Sequence, residues 1–384
     1  MFLRPYYSHL ITRYFESHAM VAILGPRQCG KTTLAREYFN THKNLPRANY
    51  FDLEDDTDLA RLASPKQSLQ TLSGLIVIDE IQRRPDLFPL LRVLADDPQK
   101  NRKILILGSA SGALLQQSAE SLAGRIAYIE LPPLSFSETH ELENLWIRGG
   151  FPKSYLATSD ESSNDWRRFY IKTFLEQDIP NLGIRIPAQT LRRFWAMLAN
   201  THGNILNASE LGRSLGYSDT TIKRYIDILT NTFMIRTLKP WHENITKRQV
   251  KSPKIYIRDS GLLHTLLNIP DKNALLIEPK LGASWEGFAL EEIIRHTHVD
   301  ENDCYFWATH QHAELDLLLL HKNKRLGFEF KYSDAPRMTR SLHIAYETLN
   351  LDQLIVIYPG ELDYQLENNI QVKGLGSFLE NNKI

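Results

Sequence analysis

Uninterrupted apolar runs of strand length punctuate the first third of the chain. Met20-Val21-Ala22-Ile23-Leu24, Leu75-Ile76-Val77-Ile78 and Ile104-Leu105-Ile106-Leu107 carry no polar residue on either face. Such runs predict strands buried on both sides, the signature of a parallel sheet. Tyr50-Phe51-Asp52-Leu53 and residues 126–131 supply two more strands. Between them lie helix-like stretches. Residues 2–18 are helical in part, 34–39 read as a helix, and an acidic turn leads into a helix ending near Pro65. Residues 87–95 place Leu87, Leu90, Leu91 and Leu94 at helical spacing. This alternation over residues 20–131 predicts an α/β fold covered by helices on both faces.

The pattern then changes. Residues 135–201 turn helical, with a break at Arg148-Gly149-Gly150-Phe151-Pro152 and aromatic residues at helical spacing over 166–175 that predict core. Residues 207–230 predict two helices joined at Gly216-Tyr217-Ser218, with Ile222, Tyr225, Ile226 and Leu229 forming the apolar stripe of the second. That is a helix-turn-helix pattern, and the strand 234–238 is placed to form a wing. Strands return in the last third. The expected domains are therefore 1–134, 135–205, 206–248 and 249–384.

Composition narrows the picture in a few respects. The 384 residues fit two to three domains. Lys and Arg balance Asp and Glu at 45 each, so the molecule has no general field that would gather nucleic acid. Any such contact must come from a local patch. The two cysteines, Cys29 and Cys304, have no metal-site spacing and suit a reducing compartment. Apolar runs are strand-sized and the first eighteen residues lack a secretory apolar core, so the expectation is a cytoplasmic protein without a membrane span.

Chemistry enters at Gly25-Pro26-Arg27-Gln28-Cys29-Gly30-Lys31-Thr32-Thr33, between the first strand and a helix. Strand, G-x-x-x-x-G-K-T, helix is a phosphate-binding loop, whose glycines let backbone N–H groups turn inward onto an anion. Lys31 reaches the β- and γ-phosphates, and the Thr32 hydroxyl sits on Mg²⁺. The strand ending in Asp79-Glu80 has the form of a Walker B strand. Asp79 holds the magnesium, and Glu80 orients or deprotonates an attacking water. Ser109, at the end of another strand, has two readings: a γ-phosphate sensor, or the cap of a helix at 113–117. Arg125 also has two, a cation reaching a phosphate in its own or a neighbouring subunit, or a surface arginine.

A second constellation lies near the C-terminus. Residues 313–318 and Gly327-Phe328-Glu329-Phe330-Lys331 predict neighbouring strands joined by a basic turn at 321–325. Alternation puts Glu329 and Lys331 on one face and Phe328 and Phe330 in the core. Asp316 and Glu329 could ligate Mg²⁺, Lys331 could stabilise developing negative charge, and Glu286 could add a ligand. The competing reading is a sheet with a solvated polar edge, since E-x-K is a common triplet. On the helix-turn-helix, Thr220, Thr221, Lys223 and Arg224 are the residues for DNA, with Asp219 and Asp227 against them.

In order, these motifs resemble the prokaryotic AAA-superfamily ATPases with a C-terminal DUF4143-type domain. The likeness rests on the phosphate loop, Asp79-Glu80-Ile81-Gln82, Ala123-Gly124-Arg125 and Arg148-Gly149-Gly150-Phe151-Pro152. It continues through Pro253-Lys254-Ile255-Tyr256, Asp259-Ser260-Gly261-Leu262, Trp285-Glu286 and Glu329-Phe330-Lys331. The resemblance implies an AAA-like P-loop sheet, a helical subdomain, a winged helix and an α/β domain similar to PD-(D/E)xK nucleases. Lys31, Thr32, Asp79 and Glu80 take the ATPase roles, and Asp316, Glu329 and Lys331 the nuclease-like ones. Many AAA proteins have Asn or Thr where this chain has Ser109. The expected cofactors are ATP and Mg²⁺, with DNA or a protein as partner and an oligomer open.

Overall fold

The computed structural model describes residues 2–42, 46–97, 100, 102–109, 122, 124–243, 249–310 and 313–381. The chain packs into two compact units. One comprises Met1–Leu134, Gln177–Arg185 and Asn231–Phe233; the other comprises Ser135–Glu176, Ile186–Thr230 and Met234–Ile384.

The first unit is built on five parallel strands, β1 (Met20–Leu24), β2 (Tyr50–Asp52), β3 (Gly74–Asp79), β4 (Arg102–Gly108) and β5 (Ile126–Glu130), in the order β2-β3-β4-β1-β5. Alternate residues of the apolar runs enter separate cores. Met20, Ala22, Leu24, Ile76, Ile78, Ile104 and Ile106 pack with Phe88 and Leu91 of the helix Phe88–Ala95. Val21, Ile23, Leu75, Val77, Leu105 and Leu107 pack with Leu34, Ala35 and Tyr38 of the helix Lys31–Thr41 and with Ile11 and Phe15 of the helix Pro5–Ser17. Continuous hydrophobicity is thus explained by burial on both faces. Pro65 opens the helix Pro65–Gln70 rather than ending its predecessor, which stops at Arg61. Proline suits a first helical turn because the N–H it lacks would have no intrahelical partner there.

The second unit carries helices and an eight-stranded mixed sheet. Its strands are β6 (Ile235–Pro240), β7 (Lys254–Ile257), β8 (Cys304–Ala308), β9 (Glu314–His321), β10 (Lys324–Phe330), β11 (Gln353–Tyr358), β12 (Tyr364–Glu367) and β13 (Ile370–Gly374). They run in the order β12-β13-β11-β10-β9-β8-β6-β7. The helices Ala208–Leu215 and Asp219–Asn231 lie where the helix-turn-helix pattern puts them. The strand expected as a wing, β6, instead pairs antiparallel with β7 and parallel with β8 inside this sheet. The expected boundaries at 205 and 248 therefore fall inside one packed body, and Gln177–Arg185 leaves the expected helical subdomain for the other unit.

Two glycine motifs meet in this unit. Gly150 N donates to Asp259 Oδ2 at 2.8 Å, while Asp259 Oδ1 accepts from Leu262 N at 2.9 Å and caps the helix Ser260–Leu266. Gly149 has φ +75°, and a Cβ there would lie 2.2 Å from Asp259 Oδ1. A Cβ on Gly261 would lie 2.2 Å from the Arg148 carbonyl oxygen. Arg167, fully buried, donates to that carbonyl at 3.1 Å and to Thr265 Oγ1 at 2.8 Å. The 148–152 and 259–262 motifs thus form one packing joint. Gly149→Ala should destabilise this unit by roughly 2–4 kcal/mol, through strain and loss of the Asp259 contacts. Urea unfolding with an unchanged midpoint would show that the joint is not tight.

Candidate functional site

β1 ends at Leu24, and the chain must turn at once to start the helix at Lys31. Gly25 passes so close to β5 that an added Cβ would meet the Leu131 carbonyl oxygen at 2.2 Å. Gln28 (φ 62°) and Gly30 (φ 107°) take left-handed conformations that curl the loop. Buried Arg4 ties it from outside, donating to the carbonyls of Cys29 at 3.4 Å and Pro132 at 3.0 Å. Arg4 carried no motif signal in the sequence. Lys31 Nζ donates to the loop carbonyls of Gly25 (3.0 Å) and Pro26 (2.9 Å), which keeps its ammonium over the loop.

β3 delivers Asp79 beside this loop. Thr32 Oγ1 donates to Asp79 Oδ2 at 2.8 Å, Tyr50 OH to the same oxygen at 3.2 Å, and Glu80 N to Oδ1 at 2.9 Å. Burial pushes the Asp79 carboxyl up to about 6, against the lowering effect of the Thr32 hydrogen bond. A hydroxyl beside a buried carboxylate suits Mg²⁺, which keeps several waters and takes few protein ligands. Glu80 sits at φ 56°, and Gln82 Nε2 donates both to Glu80 Oε2 and, at 2.9 Å, to Ser109 Oγ. Gln82 therefore links Glu80 to Ser109 across a pocket also lined by Arg27, Glu54, Arg83, Asp178, Asn181 and Leu182. The expected helix at 113–117, the alternative partner of Ser109 as a cap, falls outside the described residues.

Arg125 is placed elsewhere. Its carbonyl accepts from Met20 N at 3.1 Å, at the start of β1, whereas the phosphate loop follows the other end of that strand. Its guanidinium, 38 % exposed, pairs with Asp96 at 2.6 Å. Arg125 thus cannot reach a phosphate on the loop of its own chain.

The C-terminal carboxylates do converge. Leu317 pairs with Phe328 in the β9–β10 ladder, so Asp316 and Glu329 come next on facing strands. Both are buried, which removes the solvated-edge reading. Asp316 Oδ2 accepts from Phe330 N at 3.1 Å. The ammonium of Lys254, however, lies among the expected metal ligands. Its Nζ is 3.3 Å from Glu286 Oε1, 2.5 Å from Glu314 Oε1 and 3.1 Å from Asp316 Oδ1. Lys331 Nζ pairs with Glu329 Oε1 at 2.6 Å, and Tyr256 OH donates to Glu286 Oε1 at 2.6 Å. Burial pushes Glu286 up to about 7 and Glu329 up to about 8, with Asp316 adding to both shifts. Among the described residues no group of three or more His, Cys, Asp or Glu side chains could hold a metal ion. As arranged, Asp316, Glu329 and Glu286 do not fit a Mg²⁺ centre: lysines supply the positive charge. Lys254 appeared in the sequence only inside Pro-Lys-Ile-Tyr, with nothing to tie it to β9.

Three family models match successive stretches of the chain. An AAA domain family matches residues 17–140, a domain of unknown function (DUF8612) residues 139–273, and a second (DUF4143) residues 281–378. An uncharacterized protein of Mycobacterium tuberculosis is 49% identical over 362 residues, covering 94% of this chain and 81% of its own. The chain belongs to the P-loop AAA-domain ATPases with a C-terminal DUF4143 domain. An uncharacterized relative in Methanocaldococcus jannaschii is 22% identical over 378 residues, 88% of this chain and 82% of its own. Among solved structures, a Walker-type ATPase of Pyrococcus abyssi superposes with a TM-score of 0.44 at 16% identity, over 70% of this chain and 96% of that one. No helix among the described residues is long and apolar enough to cross a membrane.

Lys254 should hold the C-terminal carboxylates of this chain together. Lys254→Met should cost about 3–5 kcal/mol in denaturant unfolding, because it strands buried carboxylates without a counter-charge. A cost under about 1 kcal/mol would show the cluster accommodates the loss by protonation.

Proposed function

We propose that this protein binds ATP with Mg²⁺ at the phosphate loop and hydrolyses it, the nucleotide state being passed to the C-terminal unit. The observation that carries this reading is the 2.8 Å hydrogen bond from Thr32 Oγ1 to Asp79 Oδ2, which joins the loop to the acidic end of β3. The backbone N–H groups of residues 27–33 and the Lys31 ammonium take the β- and γ-phosphates. Thr32 and Asp79 would hold the Mg²⁺, which when bound neutralises phosphate charge and aligns the γ-phosphoryl group. Glu80, oriented by Gln82, accepts a proton from the attacking water. Ser109, which accepts from the same glutamine, would donate toward the γ-phosphate.

Two outputs suit the rest of the chain. DNA association would use Lys223 and Arg224, both exposed, but Asp219 and Asp227 are exposed on the same helix and cancel them. The other is a nucleotide switch that presents its C-terminal domain to a protein partner without cutting nucleic acid. Lys254 among the nuclease-like carboxylates favours the switch.

Lys31→Ala should abolish nucleotide binding, measured by fluorescent ATP-analogue titration; unchanged affinity would remove the loop from the reading. Glu80→Gln should bind ATP normally and turn over roughly 10²–10³-fold more slowly. Arg125→Ala should hydrolyse ATP within about twofold of wild type, since Arg125 lies at the opposite strand end. A loss of tenfold or more would assign Arg125 to a neighbouring subunit's site. Turnover should not change with DNA at physiological salt; salt-sensitive stimulation by DNA would favour the DNA reading over the switch.

A further inference from the structure

With Arg125 at the far end of the sheet, the loop itself supplies a cation of no assigned role. Arg27 lies inside the phosphate loop, between Gly25 and Gly30, and lines the same pocket as Glu80 and Ser109. Two carboxylates hold it there. Glu54 Oε1 is 2.5 Å from Arg27 Nη2, and Asp178 Oδ1 pairs with Nη1. The other arginine of the pocket, Arg83, donates to the Leu53 carbonyl at 3.0 Å.

Asp178 is only 12 % exposed and closes a π-helical turn, Phe174–Asp178. Such wide turns inside helices recur at functional positions. Burial raises its carboxyl, and Arg27 and Lys31 lower it. The stretch that bears Asp178, Gln177–Arg185, packs with the nucleotide unit, while the residues on either side of it, Glu176 and Ile186, belong to the other. A γ-phosphate held by Lys31 brings more charge to Arg27 than one carboxylate does, and it repels Asp178.

We propose that Arg27 is the in-chain arginine that contacts the γ-phosphate, and that Asp178 latches it when no ATP is bound. ATP draws Arg27 off Asp178 and releases Gln177–Arg185; loss of the γ-phosphate restores the latch. The inference rests on ATP binding at the loop and names the group through which binding is felt elsewhere in the chain.

The test uses the full chain and amide hydrogen exchange over residues 174–186, with Mg–ATP, Mg–ADP or neither, in the Glu80→Gln background. ATP should speed exchange there about tenfold or more, and ADP should leave it at the nucleotide-free rate. Asp178→Asn should exchange fast in every state. Kinetically, with Glu80 intact, Asp178→Asn should lower KM for ATP several-fold at near-wild-type kcat. Arg27→Ala should lose 10²-fold or more in kcat while binding a fluorescent ATP analogue within tenfold of wild type, and Arg27→Lys should recover part of that loss. Exchange indifferent to ATP in a protein that binds the analogue would overturn the latch and leave the ATP reading intact. Equal effects of Arg27→Ala and Asp178→Asn on kcat and KM would reduce the pair to a structural ion pair, also overturning it. Failure of the unmutated chain to bind the analogue would overturn both.

Discussion

Burying β1 and β4 on both faces constrains everything else in the nucleotide unit. A strand with apolar side chains above and below can donate and accept only along its edges, so its neighbours must be strands and its two faces must be roofed by helices. Parallel order then sends every β-to-helix turn to one edge of the sheet, where Gly25, Asp79 and Ser109 all emerge. The site is assembled from residues far apart in sequence because that edge is the one place where the backbone must stop being regular.

The same geometry explains which parts of the site were legible in the residues. The phosphate loop and the Asp79-Glu80 pair are local motifs whose neighbouring strands are unmistakably apolar, and Thr32 meets Asp79 as the spacing implies. Arg4 and Asp178 were not legible, and Gln82 stood in its motif without a role. Arg4 and Asp178 reach the loop through tertiary packing, and a polar residue in a helix or turn has no periodicity that announces such a partner. Of the two readings of Arg125, its place suits the surface arginine: it heads a strand close in sequence to Ser109, and a parallel strand's first residue lies at the edge away from the loop of its own chain.

Charge accounting separates the two acidic sites. At Asp79 the carboxylate is met by hydroxyls and a backbone N–H, donors that leave room for a cation. At Asp316 the counter-charge is covalently part of the fold, carried by a lysine whose strand, β7, lies three places from β9 in the sheet. The E-x-K spacing and the strand hairpin could be read from the residues, and β9 and β10 do pair as antiparallel neighbours. The identity of the cation could not, because β7 is separated from β9 by more than fifty residues of intervening chain.

The excursion of Gln177–Arg185 has a consequence for how the molecule can be divided. The phosphate loop, Asp79 and Glu80 precede Leu134, yet Asp178, Asn181 and Leu182, which wall the same pocket, come after a long passage through the other unit. No single cut in the chain yields a complete nucleotide unit. A fragment ending at Leu134 would carry the phosphate loop and the Asp79-Glu80 pair and lack one wall of its pocket, so the nucleotide unit belongs to the threaded chain rather than to a detachable module.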